Sequence, residues 1–116
     1  MVAEYLAGLV DSDLGLPHVP EWAQPSWHLF VVRSKHRAEL MAALGKAGIG
    51  SLIHYPIPPH KQAAYADLGL ADASFPVAEQ LADEVVSLPM GPHLAPAQCR
   101  EVIQATLEHT KAGRAA

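Results

Sequence analysis

Two periods govern the order of hydrophobic and polar positions in this chain. Val2, Tyr5, Leu6 and Leu9 recur at helical spacing and predict an amphipathic helix over residues 2–10. It starts almost at Met1 with no capping residue, and so short a helix is marginal in water unless its apolar face is docked. The chain therefore reads as part of something longer, or as docked to a partner. Residues 11–26 are polar and broken by Pro17, Pro20 and Pro25, which predicts an extended connector over the surface. Residues 27–33, Trp-His-Leu-Phe-Val-Val-Arg, are dense in β-branched and aromatic side chains and predict a strand. Their continuous apolar run at 29–32 suits a buried, central one. Ser34 is placed to cap a helix over 35–47, with Leu40, Met41, Leu44 and Ala47 inward and Gly48 at the left-handed stop. Residues 49–53 then read as a second strand that delivers the chain to His54.

The pattern continues with a short helix over 61–68, Tyr65 and Leu68 inward, stopped by Gly69. Ser74 and Pro76 open another helix whose buried stripe is Val77, Leu81 and Val85. Residues 85–88 form a third strand ended by Pro89, and Pro96 opens a final helix. Cys99, Val102, Ile103, Thr106 and Leu107 share one face of that helix, so Cys99 reads as a small buried hydrophobe. Residues 111–116 are expected to be a frayed tail. The sum is an α+β domain: a small, mainly antiparallel sheet of about three strands with helices packed mostly on one face.

At 116 residues, 50% of them hydrophobic and 17% charged, the chain suits one folded domain rather than a disordered segment. A net charge of −4 and eight scattered Lys and Arg provide no basic stripe to neutralise phosphates, so no nucleic-acid partner is expected. No apolar run approaches the roughly 20 residues that span a bilayer. Met1 is followed by Glu4 without a basic n-region, and the single cysteine, Cys99, cannot form an internal disulfide. A cytoplasmic protein, with neither membrane contact nor signal peptide, is the expectation.

Candidate chemistry centres on His54-Tyr55-Pro56-Ile57-Pro58-Pro59-His60. Each proline fixes its own φ and drives the preceding residue toward extended backbone, which predicts a rigid loop. Imidazole and phenol groups on a rigid loop suit contact with a polar ligand; on these residues alone the first reading is a plain connector with solvated histidines. His28 either faces a site or is satisfied at a strand end. No glycine-rich phosphate loop, GxSxG elbow or HExxH helix occurs. The histidines at 18, 28, 36, 54, 60, 93 and 109 lack zinc-ligand spacing, so no metal is expected. A Cys-His nucleophile pair is ruled against by the apolar setting of Cys99, and Asp83-Glu84 reads as a solvated helix face.

The run Trp27-His28-Leu29-Phe30-Val31-Val32 before Arg37, then Gly48-Ile49, then the 54–60 loop with Gln62 and Tyr65, resembles the C-terminal region of the DegT/DnrJ/EryC1/StrS family. Phe75-Pro76-Val77-Ala78-Glu79 followed by Ser87-Leu88-Pro89-Met90 strengthens the likeness. The resemblance implies a pyridoxal-phosphate-dependent aminotransferase of nucleotide-linked keto-sugars, in deoxyaminosugar or lipopolysaccharide biosynthesis, with glutamate as amino donor. It implies that residues 1–26 are an inter-domain region and 27–110 the small domain, before the tail at 111–116. It further implies that His54, Tyr55 and His60 line the sugar-nucleotide side of the cleft. The family's cofactor lysine and phosphate cup lie in a large N-terminal domain, and Lys35, Lys46, Lys61 and Lys111 lack that context. No cofactor and no catalytic residue are therefore expected in these 116 residues, which alone should not transaminate. The same resemblance implies an orphan apolar surface around Val2, Tyr5, Leu6 and Leu9, and with it a homo-oligomer, a dimer first of all. Ala95 stands where a capping threonine is usual, a change expected to cost the last helix about 1 kcal/mol. The alternative reading is an autonomous, non-catalytic binding or assembly module.

Overall fold

The computed structural model describes residues 1–114, with side chains through Thr110. Its elements are α1 (Val2–Gly8), β1 (Phe30–Arg33), α2 (Arg37–Lys46), α3 (Pro76–Glu84), β2 (Val85–Leu88) and α4 (Pro96–Arg114), with two 3₁₀ segments at Pro59–Lys61 and Ala63–Leu68. The α+β class is as expected, but the sheet has two strands rather than three. β1 and β2 run antiparallel in the register Phe30↔Leu88 to Arg33↔Val85. Alternation sends Phe30, Val32, Val86 and Leu88 to one face. There they join Tyr5 and Leu9 of the N-terminal stretch, Leu40 and Leu44 of α2, and Cys99 and Val102 of α4 in the core.

The expected second strand over 49–53 contracts to one bridge. Leu52 and Ser87 exchange both backbone hydrogen bonds, at 3.2 and 2.7 Å, and pairing goes no further. Gly15 makes the same two-bond bridge to Arg33 on the outer side of β1, so the connector is stitched to the sheet edge. β1 is shorter than the predicted 27–33 because Phe30 lies opposite Leu88 and the next residue along is Pro89, which has no N–H for the ladder.

The first helix overturns its expectation in a useful way. Tyr5 and Leu9 are fully buried, so the face expected to be orphaned is closed inside the domain. α1 lies close on α4: a Cβ built on Gly8 would meet Ile103 Cγ2 at 2.8 Å. Tyr5, Leu9 and Leu14 thus share one core with the two strands, α2 and α4.

Three local expectations also shift. Ser34 Oγ accepts the His36 N–H at 3.1 Å, so its hydroxyl closes the turn before α2, which begins only at Arg37. Residues 61–68 form 3₁₀ turns instead of one α-helix, and Tyr65 and Leu68 face outward; so short a 3₁₀ turn presents no continuous i, i+4 stripe to a core. Gly69, at φ 64°, stops it as predicted. In α3 the expected stripe is on the wrong side: Val77 is 71% exposed and Leu81 is exposed, while Ala82 is buried. The helix lays its small Ala78–Ala82 edge inward, which permits a closer approach than Val and Leu would. α4 starts at Pro96 as expected and stays helical to Arg114, through most of the predicted tail; residues 115 and 116 lie outside the described ones. Its missing N-cap hydroxyl is partly offset, since Gln98 Oε1 accepts the Ala95 N–H at 2.9 Å.

Candidate functional site

Ser87 occupies the middle of β2, with Val31 on one side and the Leu52 bridge on the other. By alternation its side chain leaves the sheet on the face away from the core. His54, two residues past the bridge, folds over that face: its Nδ1 lies 2.8 Å from Ser87 Oγ. The Tyr55 ring stands edge-on to the His54 ring at 5.3 Å, and the peptide between the two is cis. Tyr55 is 70% exposed. Beside them opens a cavity of about 430 Å³, bounded by Leu29, Gly50, Ser51, His54, Ser87 and Met90. His54, Ser51 and Ser87 supply its polar side chains and Leu29, Leu52 and Met90 its apolar wall, a composition suited to a ligand with both hydroxyls and a hydrophobic face.

His60 does not join this group. It is buried, 8% exposed, its ring 4.8 Å from that of Phe75 and its Nε2 3.1 Å from Glu79 Oε1. Lys61 Nζ reaches the same oxygen at 3.4 Å. The seven-residue loop thus has two ends with different work, His54 open to a cavity with Tyr55 exposed beside it, and His60 tied to α3. His28 is exposed at the approach to β1. The signal for Ser87 was present in the sequence as a lone hydroxyl inside Val-Val-Ser-Leu, a polar residue at a strand position that β propensity would fill with an apolar one.

The hydrogen bond from His60, with support from Lys61, holds the Glu79 carboxyl below its usual range. Gln80 first, then Arg33, do the same for Glu84. A carboxyl whose folded pKa is lowered contributes stability above its unfolded pKa, about 4.3, and loses that contribution as pH falls through the folded value. Melting temperature is therefore expected to hold from pH 7 to about pH 5 and to drop below that. Glu79→Gln should flatten the drop, and thermal melts across this range measure both.

Among the described residues the lysines do not fit a Schiff-base cofactor. Lys61 is half-exposed and bound to a carboxylate, in a hollow it shares with Glu79 and Asp83, whose charges would repel a phosphate. Lys35 and Lys46 are exposed near the two ends of α2. Nor do any three His, Cys, Asp or Glu side chains among the described residues gather closely enough for a metal ion. No helix of the described residues is long and apolar enough to cross a membrane.

A second surface stands out. Tyr65, Leu68, Leu70, Phe75, Val77 and Leu81 are all exposed along the 3₁₀ segment, the turn after it and α3, and several line an apolar hollow of about 380 Å³ beside His60. This is where uncovered hydrophobic area gathers, in place of the expected α1 face.

The sequence model of the DegT/DnrJ/EryC1/StrS aminotransferase family matches residues 1–107. The chain is 52% identical over 98 residues to the erythromycin biosynthesis sensory transduction protein EryC1 of Saccharopolyspora erythraea, covering 84% of this chain and 26% of that protein. It is 45% identical over 109 residues to dTDP-3-amino-3,4,6-trideoxy-alpha-D-glucose transaminase of Streptomyces venezuelae, covering 93% and 29%. The crystal structure of S. venezuelae DesV superposes with a TM-score of 0.90 at 44% identity, over 95% of this chain and 30% of that one. The chain thus spans under a third of the length of these relatives. Another similar structure, from Streptococcus pneumoniae, is recorded in both PLP and PMP forms. With a family match over nearly its whole length and the same backbone path, this chain belongs to the DegT/DnrJ/EryC1/StrS aminotransferase family.

Proposed function

We propose that these residues act as the small, substrate-side part of a PLP-dependent aminotransferase of nucleotide-linked keto-sugars. In this reading residues 27–110, with α1 packed into them, form the C-terminal domain, and the cofactor and its lysine are supplied from outside the chain. His54 and Tyr55 offer hydrogen bonds to sugar hydroxyls or diphosphate oxygens, and His60 keeps the far end of their loop in place through Glu79. The observation that carries the reading is the His54–Ser87 pair at the mouth of a mixed polar and apolar cavity, in a chain whose relatives include a dTDP-amino-sugar transaminase. A cytoplasmic location and glutamate as donor belong to the same proposal.

Complementation tests it. The chain would be co-expressed with the preceding two-thirds of the S. venezuelae transaminase, and the pair assayed on that enzyme's own substrate. Activity is expected from the pair and from neither part alone. His54→Ala should raise KM at least tenfold, a loss of about 1.4 kcal/mol of binding. Treating the chain by itself with pyridoxal phosphate and borohydride should leave no stoichiometric adduct on one lysine; such an adduct would overturn the reading.

The apolar surface around Leu68 and Phe75 supports a homo-oligomer, since exposed patches of this kind drive self-association. Light scattering during size exclusion should show mass rising with concentration, and Leu68→Glu should hold the chain monomeric. A second reading, a non-catalytic module, draws on relatives named as a sensory transduction protein and a pleiotropic regulatory protein. It predicts instead a monomer that binds a nucleotide-sugar unaided.

A further inference from the structure

His54 has two ring nitrogens, and the fold has already committed one of them. Ser87 is 5% exposed, and its backbone is fixed by two hydrogen bonds to Leu52. Its hydroxyl is therefore an immobile group buried under the 50–54 segment, 2.8 Å from His54 Nδ1. A hydroxyl both donates and accepts, and a buried O–H left without an acceptor is costly. Among the described residues, Nδ1 of His54 is the only side-chain or backbone atom recorded in hydrogen-bond contact with that hydroxyl. If Nδ1 carried the proton, the Ser87 hydrogen would have no protein acceptor among the described residues. The arrangement that satisfies both groups has Ser87 donating to an unprotonated Nδ1, which leaves the proton of the neutral ring on Nε2.

We infer that Ser87 is a positioning residue for His54: its hydroxyl locks the ring plane and the Nε2–H tautomer, so that His54 presents a hydrogen-bond donor to the cavity beside it. The ligand group it would meet is an acceptor, a sugar hydroxyl or carbonyl oxygen or a diphosphate oxygen. The Tyr55 ring stands edge-on to the His54 ring at 5.3 Å. The ligand half of this inference rests on the function proposed above; the tautomer half does not.

The experiment separates the two. Two-bond proton–nitrogen correlation spectra of the ¹⁵N-labelled chain report which nitrogen of each histidine is protonated, and His54→Ala assigns the signals. At neutral-ring pH, His54 is expected wholly as the Nε2–H form. Ser87→Ala should bring back exchange between the two tautomers, and Ser87→Thr, which keeps the hydroxyl, should restore the lock. In the complementation assay, Ser87→Ala is expected to raise KM about tenfold with kcat nearly unchanged, and Ser87→Thr to recover most of it. An Nδ1–H signal for His54 in the unaltered chain, or a tautomer indifferent to Ser87→Ala, would overturn the positioning role. A correct tautomer lock with no KM change in either Ser87→Ala or His54→Ala would leave the lock standing and sink the substrate-side reading.

Discussion

Tyr5→Ala is expected to cost about 3–5 kcal/mol, the usual range for deleting a buried aromatic side chain. The ring is fully buried and stacks on Phe30 at 4.8 Å with 26° between planes. Its hydroxyl donates to Pro89 O at 2.7 Å, joining the first helix to the residue that ends β2. Alanine removes the stack and strands the Pro89 carbonyl, so both a cavity and an unpaired acceptor result. For a domain of this size total stability is about 6–17 kcal/mol, and the loss is a large share of it. Tyr5→Phe separates the two effects: it keeps the stack, loses the bond, and should cost about 1–2 kcal/mol. Urea unfolding followed by circular dichroism reads both. Burial, helped by the nearby Cys99, pushes the Tyr5 phenol up. A raised folded pKa means stability that is intact below the unfolded value, about 10, and is lost as pH climbs beyond it. Tyr5→Phe should therefore also remove part of the alkaline fall in stability.

Arg37→Ala should destabilise the fold by about 2–3 kcal/mol, more than a surface arginine normally costs, because it leaves backbone acceptors behind. One arm of the Arg37 guanidinium donates to the carbonyls of Ala82 and Val85. These lie at the C-terminal turn of α3 and the first residue of β2, where the helix has no further N–H groups to offer them. The same corner carries Arg33, whose Nε and Nη2 reach one oxygen of Glu84 at 2.9 and 2.7 Å. Glu84 sits at the negative end of the helix dipole, a placement that needs compensating cations. Arg37→Lys keeps the charge but loses the planar, fixed placement of the Nη1 donors and should recover less than half of the loss. Differential scanning calorimetry of the three proteins checks the order.

The difference between what the sequence disclosed and what it concealed follows from the range of the interactions. Helix α4, the Gly69 stop and the strand 85–88 are set by neighbours a few residues away, and local patterning found them. The roll of α3 is set by Arg37 and by the packing of Ala82, partners more than forty residues distant, so a stripe of Val77, Leu81 and Val85 misled. The same holds for α1, whose apolar face was visible while its partners, Phe30 and α4, were not. The 54–60 loop was legible as a rigid carrier of His54 and Tyr55, because proline acts on its immediate neighbours. That His60 turns away toward Glu79, and that Ser87 holds His54, depend on which side chains the sheet brings together.

The seam between α1 and α4 also bears on how the chain is made. Helix α1 is made before α4 yet packs against it, with Gly8 pressed on Ile103 and the Tyr5 hydroxyl bonded to Pro89. Its apolar side must stay uncovered until nearly the whole domain has been synthesised. Contacts of such long sequence separation slow folding, so a nascent chain stalled before α4 would expose Tyr5 and Leu9 together and be a natural client for a chaperone.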